Sequence, residues 1–94
     1  MNEERINTLH PEGKNGVNIL KRRYLLIRDF ILNTIQENGE ITLAKLSELA
    51  VENLTPTFDG KVLWYIVTVK LDLEARNIIE RIPKTSPHKL RIKQ

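Results

Sequence analysis

The sequence contains no cysteine and only two histidines among its 94 residues. The absence of cysteine excludes disulfides, a thiolate nucleophile and any cysteine-bound zinc or iron–sulfur centre. No apolar run approaches the roughly 18 residues that a membrane-spanning helix needs, and no signal-peptide pattern follows the charged residues Glu3, Glu4 and Arg5. We therefore expect a cytoplasmic protein without a membrane partner.

Signatures of catalysis are missing as well. Neither Ser47 nor Ser86 has a recognisable base, and the two histidines, His10 and His88, lie near opposite ends of the chain. The sequence shows no carboxylate cluster, no histidine pair at metal-ligand spacing and no glycine-rich phosphate loop. It predicts a protein that is not an enzyme and that uses no cofactor and no metal.

The charge of the chain is small in total but unevenly distributed. A composition of 40% hydrophobic and 29% charged residues is typical of one globular domain, and the net charge is only +3. Residues 21–28 carry four basic side chains and no acid, residues 29–60 carry six acids and one lysine, and residues 81–94 carry five basic side chains and no acid. Basic segments of this kind attract phosphate backbones, but a solvated, charged edge strand has the same composition. Both interpretations stay open.

The spacing of apolar residues predicts two helices in the first half of the chain. One face of the first helix would be formed by Leu20, Tyr24, Ile27, Ile31 and Ile35. Gly39 can adopt the left-handed conformation that closes this helix. Thr42 is a typical N-cap for a second helix that runs to about Asn53.

The third element begins at about Gly60 and satisfies two conflicting patterns. Residues 67–73 alternate between apolar and polar side chains as a strand does, whereas the strong helix formers of residues 73–76 favour a helix. Asp59 is placed to cap such a helix, and Asn77 tolerates the left-handed conformation at its end. We therefore predict a third helix.

The remaining segments predict a hairpin and an arm. Residues 78–82 and 90–93 are short strand-like runs on either side of a loop that contains proline, which predicts a two-stranded β-hairpin. Residues 10–16 contain one proline and two glycines, so residues 1–19 are expected to form an irregular N-terminal arm. The predicted fold class is α+β, with three helices followed by the hairpin.

Two stretches of this sequence are similar to known families. The run Leu73–Arg81 resembles the junction between recognition helix and wing in bacterial winged-helix regulators, with Asn77 where glycine is common. The combination of Thr8–Lys14 with Val69–Arg76 resembles a family of small bacterial proteins of unknown function. The resemblances imply a winged helix-turn-helix domain over residues 20–94, preceded by the arm of residues 1–19.

The winged-helix resemblance implies that the third helix enters the major groove of DNA and that the hairpin, or wing, follows the backbone. The first expected function is therefore DNA binding and transcriptional regulation, with double-stranded DNA as the partner. The outward face of the third helix would present Lys61, Trp64, Tyr65, Thr68 and Asp72. The expected DNA contacts are Lys61, Tyr65, Thr68, Lys84, His88, Lys89, Arg91, Arg22 and Arg23.

Aromatic residues on the third helix indicate an alternative function. Tryptophan and tyrosine are enriched at interface hot spots, so the second expected function is protein–protein interaction or dimerisation without DNA binding. The partner would then be a second copy of the chain, giving a homodimer, or another protein. The expected interface residues are Trp64, Val67, Leu71, Leu25 and Leu32. A competing interpretation is that Trp64 packs in the core or under the N-terminal arm.

Overall fold

The computed structural model describes residues 3–93. Met1, Asn2 and Gln94, which belong to the predicted arm and to the end of the predicted domain, lie outside the described residues. Three helices and two small antiparallel sheets confirm the predicted α+β class. None of the helices within residues 3–93 is both long and apolar enough to cross a membrane. The elements are β1 (Arg5–Asn7), β2 (Asn18–Leu20), α1 (Lys21–Asn38), β3 (Ile41–Thr42), α2 (Leu43–Leu54), α3 (Val62–Ala75), β4 (Ile79–Arg81) and β5 (Lys89–Ile92).

Helix α1 follows the predicted pattern closely. Its apolar stripe is buried from Tyr24 to Ile35, and Gly39, at φ 79°, closes the helix by donating its amide to the carbonyl of Ile35 over 2.7 Å. Leu20, the first residue of the predicted stripe, is instead the last residue of β2. The stripe therefore forms one wall of the core, against which α3 packs.

Helices α2 and α3 complete that core, and the buried apolar face of α3 extends from Val62 to Leu73. The Thr42 hydroxyl accepts a hydrogen bond from the Lys45 amide over 3.1 Å, which confirms the predicted N-cap of α2. The predicted cap of α3 is wrong, because Lys61 occupies the N-cap position and makes no side-chain capping bond. The carboxylate of Asp59 binds arginines at the start of α1 instead.

The predicted hairpin is confirmed, and a third strand joins it. Strands β3, β5 and β4 form an antiparallel sheet in that order, with Ile41 opposite Leu90 and Ile79 opposite Ile92. Asn77 has a φ of 61°, the left-handed conformation expected between α3 and β4. Strand β3 contains only two residues, too few for any alternation to be visible in the sequence.

The N-terminal segment is more ordered than predicted. Strands β1 and β2 pair as an antiparallel hairpin, with Ile6 opposite the buried Ile19, so the expectation of an irregular arm is wrong for residues 5–7 and 18–19. Between the strands, residues 8–17 form a loop without helix or strand, as residues 10–16 indicated. Each strand has three residues, which is below the length at which a periodic pattern can be recognised.

Candidate functional site

Most of the exposed large hydrophobic side chains among residues 3–93 lie on one face of α3 and the neighbouring end of α2. Seven large hydrophobic side chains are exposed within residues 3–93, and four of them lie here: Leu63 (54% exposed), Trp64 (45%), Val67 (43%) and Val51 (39%). Leu63 and Val67 are one helical turn apart, and Val51, Leu63 and Trp64 line the same shallow cavity of about 450 Å³. We call these four residues the α3 apolar face.

Trp64 belongs to a small group of aromatic side chains with Tyr65 and Phe58. The Trp64 and Tyr65 rings meet edge to face, with centroids 4.9 Å apart, and Tyr65 meets Phe58 in the same way at 5.1 Å. With 45% of its surface exposed, Trp64 lies neither in the core nor under the N-terminal segment, so the competing interpretation is wrong. A large, ordered and half-exposed aromatic side chain is typical of an interaction surface.

Two residues that were expected on the outward side of α3 are buried. Tyr65 is 8% exposed, and its hydroxyl accepts a hydrogen bond from Arg23 Nη1 over 2.8 Å. Asp72 is fully buried, where it accepts hydrogen bonds from the Tyr24 hydroxyl and the Leu9 amide. The prediction that Tyr65 and Asp72 face solvent is wrong, because α1 and the N-terminal loop cover sides of α3 that the helical spacing left open.

The other expected residues of α3 and α1 are only partly accessible. Thr68 and Leu71 are half-buried, and Lys61 is exposed at the start of α3. Leu25 and Leu32 on α1 are half-buried and pack against the core. Of the five expected interface residues, the structure brings Trp64 and Val67 together on one exposed face. Sequence reasoning did not include Val51, which the fold brings next to Leu63 and Trp64.

The basic start of α1 is matched by acids from elsewhere in the chain. Asp59 accepts two hydrogen bonds from the Arg22 guanidinium, at 2.8 and 3.2 Å, and Arg23 Nε donates to the same carboxylate over 3.1 Å. Lys21 Nζ lies 3.1 Å from a carboxylate oxygen of Glu4. A hydrogen bond from Arg22, and to a lesser extent one from Arg23, holds the pKa of Asp59 far below its usual range. The positive charge of this segment is therefore largely compensated in the fold.

The hairpin shows the same compensation. Lys89 Nζ lies 3.0 Å from Glu40, and Arg91 Nε donates to Glu80 over 2.7 Å. The hydrogen bond from Arg91 is the main reason that the pKa of Glu80 is lowered. Although residues 81–94 contain no acid, Glu40 before β3 pairs with Lys89, and Glu80 of β4 pairs with Arg91.

Three other expected DNA contacts, Lys61, Lys84 and His88, form no ion pair with an acid among residues 3–93. Lys84 lies in the loop between β4 and β5 at φ 63°, and both it and Lys61 are exposed. Neither lysine has an acid within ion-pair distance among residues 3–93. His88 Nε2 is buried and has no hydrogen-bond partner in the described part of the chain, so this atom is not accessible to a phosphate.

The fold and its surface together define a small α+β domain with one exposed apolar helix face. The model of a family of unknown function, DUF6958, matches residues 5–90, and the chain belongs to that family. This match agrees with the predicted resemblance to small proteins of unknown function, whereas no winged-helix family matches. Comparisons with curated proteins and with solved structures gave no match.

Proposed function

We propose that this protein is a protein-interaction module that forms a homodimer through the α3 apolar face. The observation that carries the proposal is that four of the seven large hydrophobic side chains exposed within residues 3–93 lie on this one surface. Single exposed hydrophobic residues are ordinary, but a contiguous group that includes an ordered tryptophan is typical of a binding surface.

The charges around the face favour a second copy of the chain as the partner. Lys61 lies at one end of the face, and the exposed acids Glu48 and Glu52 lie on α2, close in sequence to Val51. A two-fold interface brings the same patch of both subunits together, so a rim that carries both signs can place each charge opposite its complement. A partner with one sign of charge would leave part of this rim unpaired.

The same face is poorly suited to reading bases. Direct readout in the major groove depends mainly on arginine, lysine, asparagine or glutamine, and the outward side of α3 presents Leu63, Trp64 and Val67. Lys61 is the exposed basic residue at its start. A helix whose exposed side is apolar gains free energy by covering that side, and a phosphate backbone cannot do this.

The test is the oligomeric state of matched glutamate variants, measured by sedimentation velocity from about 1 µM to about 1 mM, the range of weak dimers. Leu63→Glu puts a charge into the proposed interface. Leu26→Glu is the control, because Leu26 is 45% exposed on α1, outside the face. We expect the wild type and Leu26→Glu to dimerise and Leu63→Glu to stay monomeric, with unchanged circular dichroism. A wild type that is monomeric throughout, or a Leu63→Glu variant that dimerises normally, would contradict the proposal.

We infer DNA binding as a second candidate, supported by the exposed Lys84 in the β4–β5 loop. In this alternative the domain is a winged helix-turn-helix, β4 and β5 are the wing, and α3 faces the DNA through Lys61 and Thr68. The ion pairs of Lys89 and Arg91 are partly exposed, and such pairs contribute only about 0–1 kcal/mol, so a phosphate can replace the acid.

Fluorescence anisotropy with random duplex DNA in a salt series tests this candidate. Each phosphate contact should add about −0.9 to the slope of log affinity against log salt concentration. Combined charge reversal of Lys84, Lys89 and Arg91 to glutamate should abolish binding, whereas the control Lys45→Glu on α2 should change it little. Binding that survives the triple reversal would contradict a role for the wing.

A further inference from the structure

A second cavity, of about 470 Å³, lies between the N-terminal loop and the C-terminal end of α3. It is separate from the α3 apolar face and shares no residue with it. Its volume is within the range of small-molecule sites. The lining residues that matter for the argument are Leu9, His10, Lys14, Asn15, Gly16 and Ala75.

The polar groups of this cavity include several hydrogen-bond donors. His10 Nδ1 accepts a hydrogen bond from the Glu12 amide over 3.1 Å, so a neutral imidazole carries its proton on Nε2, which remains a donor. The backbone amides of residues 14–16 have no protein acceptor among the described residues. Backbone amides that lack a protein acceptor can donate hydrogen bonds to a bound anion.

The ammonium group of Lys14 pairs with Glu12, and a bound anion can take the place of that carboxylate. Lys14 Nζ lies 3.0 Å from Glu12, and the two side chains are 69% and 67% exposed. Exposed pairs of this kind contribute little free energy, so the ammonium can turn toward a bound anion at small cost. The hydrogen bond from Lys14, and then its charge, are the main reasons that the pKa of Glu12 is lowered.

The loop that carries these donors is fixed at both ends. The Leu9 amide donates to the buried Asp72 carboxylate over 2.8 Å, and Thr8 and Val17 exchange hydrogen bonds of 2.8 and 2.9 Å across the loop. A Cβ on Gly16 would lie 1.8 Å from the Thr8 carbonyl oxygen, so a side chain at this position would force the loop apart. A loop held in this way loses little conformational entropy when a ligand binds.

We propose that this cavity binds a small phosphorylated molecule, with its phosphate held by Lys14, His10 and the free amides of residues 14–16. The side chains of Leu9 and Ala75 provide apolar contact for the organic part of the ligand. This site shares no residue with the α3 apolar face, so the phosphate-binding proposal can be tested separately from dimerisation.

The test is a titration of the ¹⁵N-labelled protein with inorganic phosphate and with phenyl phosphate, followed by NMR, with chloride at matched ionic strength as the reference. We expect saturable shifts of the amides of residues 14–16, tighter binding of phenyl phosphate, and roughly tenfold weaker binding in Lys14→Gln. Lys84→Gln is the control, because Lys84 is an exposed lysine outside this cavity. Shifts that do not saturate, shifts that chloride reproduces, or unchanged affinity in Lys14→Gln would overturn the proposal.

Discussion

Replacement of Asp72 by alanine should destabilise the protein more than any surface substitution, because this buried carboxylate connects three parts of the fold. It accepts hydrogen bonds from the Leu9 amide in the N-terminal loop, from the Tyr24 hydroxyl on α1 and from Arg76 Nε directly after α3, and it is itself fully buried. A buried acceptor with three donors cannot be removed without leaving those donors unsatisfied.

The expected loss can be worked out from these contacts. Arg76 is 35% exposed and recovers water, whereas Tyr24 is 4% exposed and keeps an unpaired hydroxyl in the core. A hydrogen bond to a charged group contributes about 1.5–3 kcal/mol, and Asp72→Ala removes two such bonds, from Leu9 and Tyr24, whose donors are not freely solvated. We therefore expect Asp72→Ala to lose about 3–5 kcal/mol, a large part of the roughly 5–10 kcal/mol available to a domain of this size.

Urea denaturation followed by far-ultraviolet circular dichroism measures this loss. With a slope of about 1–2 kcal/mol per molar urea, a loss of this size lowers the midpoint by roughly 1.5–5 M. Asp29→Ala is the control, because Asp29 is an exposed acid that pairs with the adjacent Arg28, and its removal should leave the midpoint nearly unchanged. A loss below about 1 kcal/mol in Asp72→Ala would refute the role of the buried carboxylate.

Two further predictions concern how much single side chains contribute to the stability of the fold. Burial, and then the hydrogen bond to Asp72, raise the pKa of Tyr24 to about 12, so the folded state holds this proton more tightly than the unfolded state. The stability that this proton contributes is complete below about pH 10 and is lost as the pH rises toward about 12. Between these pH values the urea midpoint should therefore fall less steeply in Tyr24→Phe than in the wild type. Equal slopes of midpoint against pH in the two proteins would contradict this prediction. Thr42→Ala should lower the free energy of unfolding by about 1 kcal/mol, since the Lys45 amide loses its acceptor, whereas the control Thr57→Ala should not lower it. Thermal unfolding measures the difference. Equal melting temperatures of the two variants would contradict the capping role of Thr42.

The sequence was a reliable guide to several features that depend on neighbouring residues. The buried stripe of α1, the Thr42 cap and the left-handed Asn77 all follow from local spacing and backbone preference, and the structure contains them. The hairpin of β4 and β5 was predictable for the same reason, since turn residues separate two apolar runs.

The charged surface could not be predicted in the same way, because its partners are distant in sequence. Asp59 reaches Arg23 across 36 residues and Glu40 reaches Lys89 across 49, so a segment that looks basic by itself is compensated in the fold. No local pattern distinguishes an unpaired lysine from a paired one.

The outward side of α3 was only partly predictable. A helix with apolar residues on several sides does not reveal which side the rest of the protein leaves open. The hydrophobic spacing placed Trp64 and Val67 on the surface correctly, but it also placed Tyr65 there, which Arg23 and Phe58 cover. The addition of Val51 to the face depends on how α2 meets α3.

The most direct test of the central claim is the fluorescence of Trp64 on dilution. Trp64 is the single tryptophan of the chain and lies in the proposed dimer interface, so its emission reports whether that interface is covered. We expect blue-shifted emission at high concentration, a red shift on dilution with the midpoint given by sedimentation, and red-shifted emission at all concentrations in Leu63→Glu. A dimer that forms and dissociates without any change in Trp64 emission would contradict the account.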